Sequence, residues 1–207
     1  MQRDLGVLLQ ESQGVGLQVQ QVIKKANGIL SFIARGMEFK NSEVMLQLYK
    51  VLVRPYLEFC VQFWSPYLRK DILALEGVQR RFTGLIPELR GLAYEERLSS
   101  LVPYSLELRR MRGDLIETYK IMKGIDKIEA GKLFPRVGIT RTRGHSLKIR
   151  GSRFRTELRR NFFKGLWDSL SSEAVEATSL NVFNAGIDKF LNSKGIKGYG
   201  ERAGKWS

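Results

Sequence analysis

Apolar positions recur at helical spacing through most of this chain. From Gln18 to Arg35 they fall at Val19, Val22, Ile23, Ala26, Ile29, Leu30 and Ile33, which predicts one amphipathic helix with Lys24 and Lys25 off its apolar stripe. A second helix is expected from a Ser42 cap to about Val53, with Glu43 favourably placed in its first turn. Pro55 should end or kink it, because the ring removes a donor and collides with the preceding turn. Ser65 and Pro66 read as cap and first-turn proline of a third helix, whose inward side carries Ile72, Leu75, Val78, Phe82 and Ile86. On that helix Arg81 points nearly opposite the stripe, Arg80 flanks it, and Pro87 is the stop.

A short helix near Ala93–Leu101 precedes Pro103. Ser105 can cap the next, which should run to about Lys123 and close at Gly124. Leu108, Met111, Leu115, Tyr119 and Met122 form its apolar stripe; Arg109, Arg112, Lys120 and Lys123 share a neighbouring face, diluted by Glu107, Asp114 and Glu117. A last helix is expected from Ser179 to Leu191 on Leu180, Phe183, Ile187 and Phe190. Residues 4–10 form a short apolar run whose pattern fits a strand or a helix, before Gly14 and Gly16 break it.

The segment LVRPYLEFCVQFWSP, residues 52–66, holds the only cysteine among large apolar side chains. A cysteine nucleophile needs a base in reach and surroundings that lower its pKa. Nothing in the sequence brings the single histidine, His145, to Cys60, and the aromatic neighbours assign Cys60 to a core. One Cys and one His fall short of the four ligands of structural zinc. No pair of adjacent aspartates offers a two-metal site, and no glycine-rich phosphate loop occurs. Glu95-Glu96, the one acidic doublet, reads as part of a helix surface. The expectation is no catalytic residue, no metal and no cofactor.

Charge changes the picture. Among 207 residues, 35 Lys and Arg face 21 Asp and Glu, a formal charge of +14. Such an excess raises the local concentration of polyanions. No apolar run is long enough to span a bilayer. Peripheral attachment to anionic membrane is the weaker option, because no helix has a pure Lys/Arg face. Nucleic acid is therefore the expected partner, with no membrane and no small-molecule substrate. The N-terminus lacks a secretory signature and one cysteine suits a reducing compartment, so a nuclear or cytoplasmic place is expected rather than secretion. The cations concentrate: residues 132–164 hold eleven Lys and Arg against Glu157 alone. Arg141, Arg143, Lys148, Arg150, Arg153, Arg155, Arg159 and Arg160 are the candidate phosphate contacts, widened by Arg80, Arg81, Lys24 and Lys25. Of the aromatics in and just after this segment, Phe162, Phe163 and Trp167 are spaced like core anchors.

Several blocks occur in a fixed order: DLGVL (4–8), KKANGILSFIARG (24–36), EVMLQLYKVLVRPYLEFCVQFWSP (43–66), LEGVQRRFTGLIPEL (75–89), LAYEERLSSL (92–101), YSLELRRMRGDLIETYKIMKG (104–124), TRGHSLKI (142–149) and FFKGLWDSL (162–170). Together they resemble the C-terminal portion of reverse transcriptases of non-LTR, LINE-type retrotransposons of the jockey-like lineage, up to about residue 191. The resemblance implies a helical thumb and C-terminal extension that hold template and primer. The family's catalytic acids lie upstream in a Tyr-x-Asp-Asp type motif, which this sequence lacks. Where the family commonly shows Trp-Asn-x-Leu-Pro, this chain has Trp167-Asp168-Ser169-Leu170-Ser171.

The expected architecture is mainly α: a remnant of a palm-exit strand and linker at 1–17, a helical thumb-like bundle at 18–124, a basic, loop-rich module with short strands and a final helix at 125–192, and a disordered tail at 193–207. The expected role is a non-catalytic fragment of an RNA-directed DNA polymerase that binds template and primer and lacks its palm and fingers. The alternative is a decayed or captured retroelement reading frame serving as a helical scaffold.

Overall fold

The computed structural model describes residues 2–4, 7–9, 16–66, 68–101, 104–134, 144–150 and 165–193. These residues are mainly helical, and they form two compact units divided between Arg110 and Met111.

The first unit opens with β1 (Gln2–Asp4) and β2 (Val7–Leu9), antiparallel with Gln2 opposite Leu9 and Asp4 opposite Val7. The single palm-exit strand expected within 1–17 is thus two short ones, with Leu5 and Gly6 between them. Helix α1 (Gly16–Gly36) buries Val19, Val22, Ala26, Leu30 and Ile33, as its periodicity requires. Helix α2 (Ser42–Leu48) is capped one residue earlier than expected: the Asn41 Oδ1 accepts from the backbone N–H of Glu43 and Val44. Asn41 has extended backbone and a side-chain oxygen at the right reach, while Ser42 has already turned helical.

Pro55 does not end this helix. The coil loosens into a π-turn over Tyr49–Val53, with the Arg54 N–H bonded to the Tyr49 carbonyl, and continues as α3 (Arg54–Glu58) with Pro55 in its first turn. Widening the turn ahead of a proline relieves the clash between its ring and the preceding turn. The break comes later, at Cys60, whose φ of 49° is left-handed. There the Trp64 indole N–H donates to the Phe59 carbonyl at 2.8 Å, closing the chain reversal into α4 (Val61–Trp64). Cys60 is half-buried against the core rather than enclosed by it. Residues 52–66 therefore split by face: Val53, Leu57, Val61 and Trp64 are buried, while Leu52, Tyr56 and Phe59 are exposed.

Helix α5 (Arg69–Gly84) starts three residues beyond the expected Ser65-Pro66 cap, from Leu68 with no side-chain cap. Ser65 and Pro66 are buried instead. Leu75, Val78, Phe82 and Ile86 are in the core, whereas Ile72 is only half-buried. A single 3-10 turn (Pro87–Leu89) leads to α6 (Tyr94–Leu101), where Glu96 accepts the Ala93 N–H at 2.9 Å. That bond is half a capping box, a structural use of the acidic doublet. Helix α1 packs on α3 and α5, and Tyr49 stacks on Phe82 with centroids 4.2 Å apart.

Helix α7 (Leu106–Met122) begins at the expected Ser105, whose Oγ accepts the Leu108 N–H. It closes at Gly124, φ +69°, with Gly124 N–H to Ile121 O and Ile125 N–H to Lys120 O. Those two bonds make a Schellman cap, which favours glycine at its left-handed position. In the second unit, α8 (Ala130–Leu133) is followed by short helices α9 (165–168) and α10 (Ser172–Val175), then by α11 (Leu180–Ser193). Tyr119 of α7 stacks on Phe183 of α11 at 4.0 Å and donates to the Ala177 carbonyl. The short strands expected between 125 and 164, and the tail from 194, lie for the most part outside the described residues; within 144–150 only Ile149 takes a bridge conformation.

Candidate nucleic-acid interface

Helices α1 and α5 position four of the candidate cations. Lys24 and Lys25 are exposed on α1, and Arg80 and Arg81 are exposed on α5. The two arginines diverge because neighbouring residues on a helix point about 100° apart. Arg81 turns to α1: its Nη1 donates to Asn27 Oδ1 at 2.9 Å and its Nη2 to Ser31 Oγ at 2.9 Å. Arg80 turns to α6, its guanidinium carbon 4.8 Å from the Tyr94 ring centroid. Lys25 leans the other way across α1, its Nζ 4.3 Å from the centroid of Tyr56 on α3. Arg81 and Lys24 thus lie within a helical turn of the same Asn27, whereas Arg80 and Lys25 stand on opposite flanks.

In the second unit Arg150 is exposed and Lys148 is half-buried. Gly144, at φ +119°, lets the Lys148 stem cross where a Cβ would stand. Arg141, Arg143, Arg153, Arg155, Arg159 and Arg160 lie outside the described residues, as do Phe162 and Phe163. Trp167 is fully buried. Its indole donates to Leu147 O at 2.8 Å, its carbonyl meets His145 Nε2 at 2.9 Å, and the Ile149 N–H donates to Asp168 Oδ1. The segments 144–150 and 165–170 therefore clasp each other. A carbonyl only accepts, so Nε2 is the donor in this contact.

The cations of α7 are engaged differently. Arg109 forks onto Glu58, which also meets Arg54 at 3.8 Å. Arg112 forks onto Asp188 at 2.7 and 3.2 Å, and Lys120 reaches Glu117. Three of the four cations expected on this face are thus paired with acids, while the exposed Lys123 lies 5.7 Å from the centroid of the Tyr119 ring.

A buried polar cluster on α5 was not expected from the sequence. Glu76, Gln79 and Thr83 are all buried beside the apolar stripe. Glu76 accepts from the Tyr94 hydroxyl and, at 3.0 Å, from the Leu106 N–H in the first turn of α7; Tyr49 donates to Gln79 Oε1 at 2.9 Å. Burial pushes the Glu76 carboxyl above the usual carboxylate range, opposed by those hydrogen bonds and by the nearby Arg110 charge. Burial and the Glu76 charge push the Tyr94 phenol up as well. The only trace in the sequence is spacing, since positions 76, 79 and 83 share one helix face; side-chain type alone reads as a solvated edge.

Among the described residues, no group of three or more His, Cys, Asp or Glu could hold a metal ion, and no helix is long and apolar enough to cross a membrane. No protein-family model, curated protein or solved structure matches this chain.

Proposed function

We propose that this chain is a non-catalytic C-terminal piece of a retrotransposon RNA-directed DNA polymerase, thumb helices followed by a basic module, that binds template and primer in the nucleus or cytoplasm. The observation that carries the reading is the division of labour among its cations. Ion pairs among the described residues use Arg54, Arg109, Arg112 and Lys120. Lys24, Lys25 and Arg150 face solvent, where a phosphodiester strand can reach them. The resemblance of the ordered sequence blocks to that family supports the reading. Binding of this kind follows charge and shape, with little reading of base edges.

Fluorescence anisotropy with a primer–template duplex, a single strand and anionic vesicles tests the proposal. Sub-micromolar binding to nucleic acid with weak vesicle binding is the expected result. Equal binding to vesicles, or none to either nucleic acid, overturns it. The second reading, a captured helical scaffold, draws on the exposed apolar side chains Phe39, Val51 and Phe59. It is favoured if the chain ignores nucleic acid but associates with itself or with another protein.

A further inference from the structure

We infer that the outward ridge of α1 seats an unpaired stretch of nucleic acid, with one base stacked on Phe32 and flanking phosphates at Lys25 and Arg35; this rests on the nucleic-acid reading above. Helix α1 contains no Asp or Glu between Gly16 and Gly36, and its three cations, Lys24, Lys25 and Arg35, are all exposed. At 100° and 1.5 Å per residue, Lys25, Phe32 and Arg35 fall within about 80° of arc, with Phe32 roughly 10 Å beyond Lys25 and roughly 4.5 Å short of Arg35. Phe32 is 69% exposed, so its ring adds little to the core.

Between Lys25 and Phe32 stands Gly28, and a Cβ built there meets nothing within 4 Å. A glycine in a helix interior is unfavourable relative to alanine, and no packing among the described residues requires this one. Its effect is an open notch in the ridge. On one side of the notch Lys25 lies against Tyr56, a second exposed ring.

A flat apolar ring between two cations, on a helix without acids, complements a ligand that alternates flat apolar faces with negative charges. Unpaired nucleotides have that alternation. A duplex has the charges but keeps its base faces inside the stack, so Phe32 can discriminate between them. An acidic protein segment meets the same charges without needing a planar surface, and is the competing occupant.

The test uses the full chain, a labelled oligothymidylate of 20 nucleotides and a blunt duplex of the same length, with wild type, Phe32→Ala and Phe32→Trp. Both substitutions are at an exposed position, and circular dichroism checks the fold. The expected result is a loss of about tenfold in single-strand affinity for Phe32→Ala, retention or gain for Phe32→Trp, and duplex affinity within about twofold for both. Wild-type affinity of Phe32→Ala for the single strand overturns the inference and leaves the broader reading standing. So does equal loss on strand and duplex. If the wild type binds neither, both fail. If Phe32→Ala changes only self-association in sedimentation, the ridge is a protein contact and the inference is wrong.

Discussion

Arg81 and Asn27 are joined by a 2.9 Å hydrogen bond from Nη1 to Oδ1, and the same guanidinium reaches Ser31, so one cation of the Arg80-Arg81 doublet ties α5 to α1. Its neighbour lies over Tyr94. The pair therefore separates in its consequences. Arg81→Ala should lower unfolding stability by about 1 kcal/mol, as expected for the loss of surface hydrogen bonds. Arg80→Ala should cost less, about 0.5 kcal/mol for an exposed cation–π contact. Urea denaturation of the two variants measures the difference, and equal costs would remove Arg81 from its tying role.

The helices and their inward faces were legible in the sequence because burial imposes a period: the expected stripes of α1, α5, α7 and α11 contribute Leu30, Phe82, Leu115 and Phe183 to the interior. What was not legible depends on partners distant in the chain. Glu76 looks like any surface acid until Leu106 and Tyr94 fold over it. Pro55 looks like a stop until a π-turn accommodates it. Arg81 points away from the core stripe, as its helical position dictates, yet the adjoining helix supplies its acceptors. Of the candidate site, exposure of Lys24, Lys25, Arg80 and Arg81 agrees with the amphipathic pattern, whereas the pairing of Arg112 with Asp188 needed the fold.

Glu76 gives stability a pH dependence of definite sign. Its carboxyl is raised above the ordinary value of 4.5 in the fold, so the fold prefers the protonated form. That contribution is fully present below the unfolded value and is lost as pH rises through the folded one. As pH rises above 4.5 the urea midpoint should therefore carry a falling component that Glu76→Gln abolishes. The same decline in both proteins would show that Glu76 is not its source.

In the second unit, Gly186 faces Ala174 so closely that a Cβ on Gly186 would stand 2.9 Å from the Ala174 Cβ. Gly186→Ala should destabilise by about 1–3 kcal/mol through overpacking. Ala174→Gly in the same protein should recover part of that loss, because it removes the colliding atom. Thermal unfolding of the single and double variants reads this directly; additive losses would contradict the contact.

Arg112 and Asp188 are each about one-quarter to one-third exposed, at 25% and 33%, and they form a two-pronged pair between α7 and α11. A double-mutant cycle with Arg112→Ala and Asp188→Ala should give a coupling of about 0.5–1 kcal/mol at low salt. It should shrink in 1 M salt. Zero coupling at low salt would mean that the pair contributes no stability.

The claim that the basic surface holds phosphates is tested most directly by the salt dependence of primer–template binding. For the wild type, the logarithm of the binding constant should fall steeply and linearly with the logarithm of salt concentration. A variant with Arg153, Arg155, Arg159 and Arg160 all changed to Glu should show a shallower line, its slope reduced by about 0.9 for each phosphate that is no longer neutralised. An unchanged slope in a folded variant would contradict the account.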